Sequence, residues 1–511
     1  MGKIVPFQPE LSPALPLVVG NVDYQAFQGN LLRIAEILEA SGVEQAFVEY
    51  RLESYETEAR ARAMESGKPF RKIPLGELGN VVKHAMQALR CKIARELTGE
   101  DCRRFSTHLA ESPLLRHFCL IDGIAPIKVP SKSTIDRYGR LVPEDMVRRV
   151  VDDVNGAAAG IGTEEAHPLG LATALDLEGY FVDTTCVKAN IHYPIDWVLL
   201  RDATRTLMKA IIVIRNQGLK HRMGTPSKFI TRMNRLCIAM TQAGRKKDKG
   251  KERKRVLRMM NKLMETVRQH AVRYRQLLHE RWSETLLSEK HAQQILKRID
   301  AVLEVLPQAV EQASERILRG GQVANAEKIL SLYEPDIHVV IRGKAGAKVE
   351  FGNVLLLGET DEGVIVDWKL YKDEVPSDNS LVAGTLQRFQ DVFDRYPAAL
   401  ATDRGFDDPD NRAFLLQEKI YNAICPKSPR LLKEKLTEDR FLDLNKRRGQ
   451  TEGRVGILQN GFLGKPMRSK GFLHREGNIT WAVLAHNLWV LARLKTLVQL
   501  QEEQEQQKKA A

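Results

Sequence analysis

The sequence lacks any long apolar run, since no window approaches the roughly 18 uninterrupted apolar residues that a membrane-spanning helix requires. Residues 1–18 also lack the basic-then-apolar layout of a secretory signal. The six cysteines are scattered, with no CxxC pair and no spacing typical of metal ligands. We therefore expect a soluble cytoplasmic protein with free thiols and without disulfides, structural zinc or a membrane partner.

An excess of positive charge distinguishes the composition. The chain of 511 residues carries a net charge of +13, with a sequence pI of about 9.3. Such an excess favours a polyanionic partner through counterion release and electrostatic steering. Charge alone does not separate specific DNA recognition from general binding of nucleic acid. The length indicates two or more domains, and no internal repeat is present.

The first 160 residues are predicted to be helical. Residues 1–75 contain an amphipathic pattern over 24–38, and their role is left open. In residues 76–160 the apolar positions recur at helical spacing, and Ser133 is predicted to cap a short helix over 134–140. The pattern predicts a helical N-terminal domain.

Basic side chains surround this short helix, and a second helix is predicted to open at Pro143. The basic residues are Lys132, Arg137 and Arg140. Two helices with this surface are compatible with a DNA-binding module over 76–160. The alternative is a helical domain with an ordinary basic face.

A β-branched and aromatic run over 180–187 predicts a buried strand, and Asp183 lies inside it. Residues 199–339 then change to long helices, and we name this segment the helical block. A basic run in its middle is too charged to pack and is either a solvated face or a set of phosphate contacts. The candidate contacts are Lys246, Lys247, Arg253, Lys254 and Arg255.

After Gly343 the pattern returns to strands and helices. It predicts a hairpin over 349–357 and 364–371, a helix over 380–396, a strand over 398–402, a helix over 409–418, a strand over 420–424, further helices, and a frayed polar tail over 498–511. This order is that of an α/β protein with a mixed sheet flanked by helices. The helical block interrupts the sheet after its first strand.

Three acidic residues stand in positions typical of metal ligands. An uncompensated charge at Asp183, mid-strand, would be costly unless a cation meets it. Asp403 follows a strand and precedes Gly405, at the edge where such sheets place ligands. Glu452 is predicted to lie at the start of a helix, one turn after Arg448. Phosphoryl transfer to DNA uses two hard cations roughly 4 Å apart, and carboxylates hold such cations.

Around these residues the chain resembles a known family. The segments 181–196 (FVDTTCVKANIHYPID), 401–406 (ATDRGF) and 448–456 (RGQTEGRVG) look like the three catalytic blocks of DDE transposases from bacterial insertion sequences. The resemblance spans most of the chain from about Lys132 onward.

The resemblance implies an RNase H-like catalytic core, formed by residues 175–198 plus 340–497 and interrupted by the helical block. It implies that Asp183, Asp403 and Glu452 are catalytic and bind two Mg²⁺ ions, for which Mn²⁺ can substitute. Arg448 matches the arginine that precedes the glutamate by four residues, and a cation at this spacing can orient the carboxylate or contact a DNA phosphate.

The chain departs from the family at two positions. Asn445 stands where many relatives have a tyrosine, and Gln459 stands where they have a lysine seven residues after the glutamate. Gln459 is kept as a candidate DNA contact, and which residue contacts the phosphate near the cut is left open.

The implied function is that of a transposase, which binds the terminal inverted repeats of an insertion sequence, cuts the DNA strands and joins them to target DNA. The expected partners are double-stranded DNA and further copies of the chain assembled on it, in the bacterial cytoplasm and at the nucleoid. Two alternatives stay open: an RNase H-like nuclease without joining activity, and a domesticated DNA-binding protein without catalysis.

Other polar residues receive weaker interpretations. Asn190, His192 and Asp196 either line the site or make caps and turns, and Asp367 is expected to be a solvent-facing partner of a lysine. Packing or surface roles are expected for His474 and His486. Core positions are predicted at Trp481, Leu484, Leu488 and Leu491, which recur at helical spacing.

Overall fold

The structure is a computed structural model that describes residues 14–123, 126–162, 166–244, 248–344 and 347–510. The helices are α1 (Val22–Ala40), α2 (Val43–Glu65), α3 (Leu75–Thr98), α4 (Cys102–Glu111), α5 (Pro113–Phe118), α6 (Lys132–Tyr138), α7 (Glu144–Ala158), α8 (Asp196–Asn216), α9 (Pro226–Ala243), α10 (Lys249–Arg281), α11 (Glu289–Ser314), α12 (Val382–Phe393), α13 (Pro409–Gln417), α14 (Pro429–Lys435), α15 (Asp439–Ile457), α16 (Phe472–Ala492) and α17 (Leu497–Ala510). The strands are β1 (Gly179–Lys188), β2 (His338–Lys344), β3 (Ala347–Glu359), β4 (Ile365–Leu370), β5 (Ala399–Thr402) and β6 (Tyr421–Ile424). The predicted mixed α/β class is confirmed.

Four of the N-terminal helices, α1, α4, α5 and α6, begin at a side chain that accepts a hydrogen bond from a free backbone N–H group. Ser131, whose hydroxyl accepts from the Thr134 N–H, caps α6. The prediction of Ser133 as the cap was therefore wrong by two residues. The helix predicted at Pro143 is confirmed, since Pro143 is the residue before the first turn of α7.

One mixed sheet of six strands runs through the molecule, with β1 at its centre. On one side β1 pairs antiparallel with β3, and β3 pairs antiparallel with both β2 and β4 along its other edge. On the other side β1 pairs parallel with β5, and β5 pairs parallel with β6. The parallel strands β1, β5 and β6 therefore end at the same edge of the sheet.

Strand β2 was missed by the sequence analysis, which began the hairpin after Gly343. The strands at 349–357 and 364–371 correspond to β3 and β4 with small shifts at their ends. The helix predicted over 380–396 and the strand over 398–402 correspond to α12 and β5.

The helical block has an apolar cluster of its own. Its helices α8–α11 bury one face each against the others, and the buried residues form a cluster distinct from the main core. Leu207, Met260 and Leu306 are among the buried residues of this cluster, none more than 1% exposed.

The main core lies between the sheet and the N- and C-terminal helices. The four positions predicted as core on α16, which are Trp481, Leu484, Leu488 and Leu491, are buried as expected. The tail predicted to be frayed is instead helical as α17. All six cysteines are free thiols, as predicted. In the described part of the chain, every helix is too short or too polar to cross a membrane.

Candidate active site

Two of the three predicted carboxylates lie side by side on neighbouring strands. In the parallel pairing of β1 with β5, Phe181 is the partner of Ala401. Asp183 and Asp403 each follow two residues later, and the backbone of Asp403 is still extended, with φ −74° and ψ 177°. Because side chains alternate along extended chains and adjacent strands lie about 4.8 Å apart, both carboxylates belong to one face of the sheet at adjacent positions.

Helix α15 covers this same face. Phe181 and Ala401 form an apolar cluster with Phe441 of α15. Further along, Gln459 donates to the Thr185 hydroxyl at 2.7 Å. The helix and the turn that follows it therefore run along β1, and they pass the position of Asp183 between these two contacts.

Arg447 fastens α15 to the sheet. Its guanidinium lies over the Phe181 ring, 4.4 Å from the centroid. It donates to the Thr360 carbonyl oxygen at 2.6 Å and to Glu359 Oε1 at 3.0 Å. The sequence analysis did not single out Arg447, because a cation in a basic run is usually solvated.

Glu359 is the buried partner of this anchor, with 3% of its surface exposed. Thr451 also donates to its Oε1 at 2.8 Å, and Arg454 lies 3.9 Å from the same atom. Burial lowers the pKa of Arg454, against the attraction of Glu359. The Glu359 carboxylate thus contacts Thr451 and Arg454, which flank Glu452 in the sequence. Glu359 was not predicted, because it ends a largely apolar strand and belongs to no motif.

Glu452 is exposed on the outer side of this anchored stretch. It lies fourteen residues into α15, so the prediction that it begins a helix was wrong. A cleft of about 220 Å³ is bordered by both Asp183 and Glu452. The cleft brings the first and third predicted carboxylates together, while Asp403 does not line it.

The three predicted carboxylates do not converge on one point. Within the described ranges there is no group of three or more His, Cys, Asp or Glu side chains close enough to hold a metal ion. The Oδ1 of Asp183 accepts from the Thr184 N–H at 2.7 Å, and that of Asp403 accepts from the Gly405 N–H at 2.8 Å. In their chemistry the three oxygen donors fit a hard divalent cation.

Gly405 is required by the crowding of two carboxylates. A Cβ at this position would lie 2.5 Å from Asp378 Oδ2 and 3.0 Å from Asp403 Oδ1. Asp378 also accepts from the Thr184 hydroxyl at 2.8 Å. Asp378 therefore adds negative charge beside the predicted pair, and no motif in the sequence pointed to it.

The two predicted DNA contacts near Glu452 differ in their placement. Arg448 is partly exposed and donates to Asn445 Oδ1 at 3.1 Å, so the two positions of the family motif contact each other. Gln459 is 9% exposed, and its amide donates to Thr185 and to the Cys186 carbonyl oxygen. Both amide hydrogens are used inside the protein, which is a physical argument against the predicted DNA contact at Gln459.

A cation that was not predicted borders the cleft. Lys465 is exposed and lines the same cleft as Asp183 and Glu452. Lys188 also lines it, but its ammonium pairs with Glu350 at 2.8 Å. Lys465 thus places a positive charge beside the carboxylates of Asp183 and Glu452. The sequence motif did not identify Lys465, because the motif places its lysine at position 459, six residues earlier.

The remaining predicted DNA contacts lie elsewhere. Lys132, Arg137 and Arg140 are exposed at α6, where Arg140 pairs with Asp136 at 2.7 Å. In the helical block, Arg253 lies over the Trp197 ring, Arg255 pairs with Glu252, and Lys254 is partly exposed. Lys246 and Lys247 lie outside the described residues.

The polar residues that follow β1 lie at or next to α8 and do not line the cleft beside Glu452. Asp196, 5% exposed, accepts from Arg316 and Gln312 and so fastens α8 to α11. Asn190 and His192 border a separate cavity of about 270 Å³ next to α8.

The expectation for Asp367 was wrong. It is 2% exposed and accepts two hydrogen bonds from Arg388, at 2.7 and 2.6 Å. His486 is buried, and desolvation lowers its pKa to about 4, as fits a packing role. His474 is exposed.

The chain was compared with models of protein families, with curated proteins and with solved structures, and none of them matched.

Proposed function

We propose that this protein is a DDE-type transposase, a polynucleotidyl transferase that cuts DNA at the ends of an insertion sequence and joins them to target DNA. One observation carries the proposal: Asp183 and Asp403 occupy adjacent positions on parallel strands, and Glu452 stands on the helix over the same face. Three acidic residues far apart in the sequence thus lie on one face of the sheet or on the helix that covers this face.

The topology supports an RNase H-like core. The order along the chain is that predicted from the sequence pattern: the central strand β1, the antiparallel strands β3 and β4, the helix α12 and the parallel strands β5 and β6. In this description the helical block is an insertion between β1 and β2.

Asp183, Asp403 and Glu452 would hold two Mg²⁺ or Mn²⁺ ions, which supply activation of the attacking oxygen and charge neutralisation at the leaving oxygen. The protein contributes the fixed positions of these carboxylates. Arg447 and Glu359 fix the helix that carries Glu452, while Arg448 and Lys465 offer positive charge to a phosphodiester beside the cleft.

The test is strand cleavage and joining on DNA that carries the sequences bordering the gene. Asp183→Asn, Asp403→Asn and Glu452→Gln should each lower cleavage by about a thousandfold, since each metal ligand contributes several kcal/mol of transition-state stabilisation. Binding of the same DNA, measured in EDTA, should stay within about threefold of the wild type.

Asp443→Asn is the matched control, because Asp443 is an exposed carboxylate on the same helix. Its cleavage should equal that of the wild type. Wild-type cleavage by the Asp183→Asn enzyme would refute the proposal. Cleavage without joining would instead identify the protein as an RNase H-like nuclease, and absence of metal-dependent cleavage in the wild type would leave only a DNA-binding protein.

A further inference from the structure

Positive charge is distributed very unevenly along the chain. The helical block, residues 199–339, contains 29 Lys and Arg against 14 Asp and Glu, a net charge of +15. The whole chain carries +13, so the other segments together are slightly acidic. Residues 76–160, the predicted DNA-binding module, contain 13 Lys and Arg against 11 Asp and Glu. The electrostatic attraction for a polyanion therefore lies in the helical block.

Within the block one stretch has no acidic residue at all. Residues 203–247 contain eleven Lys and Arg and not one Asp or Glu. This stretch includes all of α9 and most of α8. A solvated helix face that serves only solubility usually mixes both signs, because pairs of opposite charge at i, i+4 stabilise the helix.

Three of these cations form a stripe on α9. Lys228, Arg232 and Arg235 are all exposed and lie four and three residues apart, which places them on one side of the helix. They span about 10 Å along the axis. Since α9 contains no acidic residue, none of the three has an ion-pair partner on its own helix. We name these three residues the α9 stripe.

The neighbouring helices behave differently. Several arginines of α10 form ion pairs with acidic residues of the helical block. These pairs are Arg255 with Glu252, Arg268 with Glu265, Arg275 with Asp300, and Arg281 with Glu284. An ion-paired arginine is partly neutralised, and both α10 and α11 carry acidic residues that offset their other cations, whereas α9 carries none. The α9 stripe is therefore the stronger attractor of an external anion.

We infer that the α9 stripe docks the phosphate backbone of duplex DNA and supplies most of the affinity that does not depend on sequence. The inference rests on the proposed function in one respect, namely that DNA is the polyanion. It assigns this contact to the helical block rather than to the N-terminal region. Counterion release then makes the contact strongly dependent on salt.

The test compares two full-length triple variants that remove the same charge from the same block. The first is Lys228→Ala, Arg232→Ala and Arg235→Ala. The control is Lys290→Ala, Lys297→Ala and Arg298→Ala, which removes three exposed cations from α11. Alanine is the best helix former, so both variants should keep their helices, and circular dichroism melting checks this.

Binding is measured in EDTA to a random-sequence duplex of about 30 base pairs over a range of salt concentrations. The stripe variant should bind at least about tenfold more weakly near 0.1 M salt, and the slope of log K against log salt should fall by about 2 to 3. The control should lose less than about threefold, with its slope unchanged. The DNA that borders the gene should show the same loss as the random duplex.

Equal losses in the two variants, or no loss in the stripe variant, would overturn the inference. The proposed function is judged separately, since binding in EDTA does not require cleavage. A wild type that fails to cut DNA in Mg²⁺ or Mn²⁺ would refute the catalytic proposal while leaving the stripe result intact.

Discussion

At the scale of single residues, the candidate site combines carboxylates that come from three separate parts of the chain. Asp183 and Asp403 depend on strand register for their proximity, and Glu452 depends on a helix that is pinned by buried groups. Negative charge is concentrated here, and Asp378 adds to it. Such a cluster needs a counter-charge, which divalent cations and basic side chains can supply.

Lys465 is expected to contact the phosphate next to the cut, in the place that the buried amide of Gln459 cannot fill. Lys465→Ala should lower strand cleavage by about tenfold, which is the value of one charge-assisted hydrogen bond in a partly exposed site. Lys465→Arg should restore most of it. The measurement is single-turnover cleavage in Mg²⁺.

The control for this lysine is Lys433→Ala, which removes an exposed cation from α14. If the two alanine variants cut DNA equally fast, Lys465 has no special role at the cleft.

Asp152 makes the stability of the protein depend on pH. Burial raises its pKa to about 7, helped by the nearby carboxylates of Asp153 and Asp367. A carboxyl whose pKa is raised in the folded state costs stability once it ionises. Stability is therefore lost as the pH rises from about 4 to about 7. Asp152→Asn removes this cost, so its advantage over the wild type should grow by about 1–3 kcal/mol between pH 5 and pH 8.

Urea unfolding at the two pH values measures this difference. Asp153→Asn is the comparison, because Asp153 is exposed and its pKa is raised less. An advantage of Asp152→Asn that is the same at pH 5 and pH 8 would contradict the account.

At the scale of elements, α15 is the part that the sequence describes least well. Its second half contains Gly449, Gly453 and Gly456 among charged residues, a composition of low helix propensity. The segment is nevertheless helical from Asp439 onward, because contacts of Phe441, Arg447 and Thr451 with the sheet stabilise the helix. These are tertiary contacts, and local patterns cannot report them.

The strands show the complementary case. The central strand β1 and strand β5 were predictable because buried strands are apolar and end at turn residues. Strand β2 was not, because it pairs along only one edge of β3 and contains polar residues. Asp367 was misassigned because its partner Arg388 lies on another element, 21 residues later.

Glu359 is expected to position α15. Glu359→Gln keeps the size of the side chain and removes the charge that Arg447 and Arg454 face, which should cost about 2–4 kcal/mol of stability. Cleavage by the folded fraction should also fall, because Glu452 loses its fixed place. DNA binding in EDTA should be unchanged.

A purely structural role would predict a different pattern. In that case the kcat of Glu359→Gln, corrected for the folded fraction, would equal that of the wild type. Below their melting temperatures, Glu359→Gln and the control Asp443→Asn would then cleave DNA at the same rate.

At the scale of the whole molecule, chemistry and charge are segregated. The carboxylates lie at the sheet, in segments that together carry no excess of positive charge, whereas the helical block carries +15. The block also buries an apolar cluster of its own. Under the proposed function a polyanion must approach a negatively charged site, and a separate basic surface is one way to offset the repulsion.

The central claim is that the carboxylates of Asp183, Asp403 and Glu452 together bind divalent cations. The most direct measurement is anomalous diffraction from crystals of the full-length protein soaked in Mn²⁺, with wild type and Asp403→Asn compared. The account predicts manganese peaks bounded by these three side chains in the wild type and weakened in the variant. Manganese bound elsewhere would contradict the account. So would the absence of a manganese peak in crystals that contain a short DNA duplex and are soaked in Mn²⁺ at millimolar concentration.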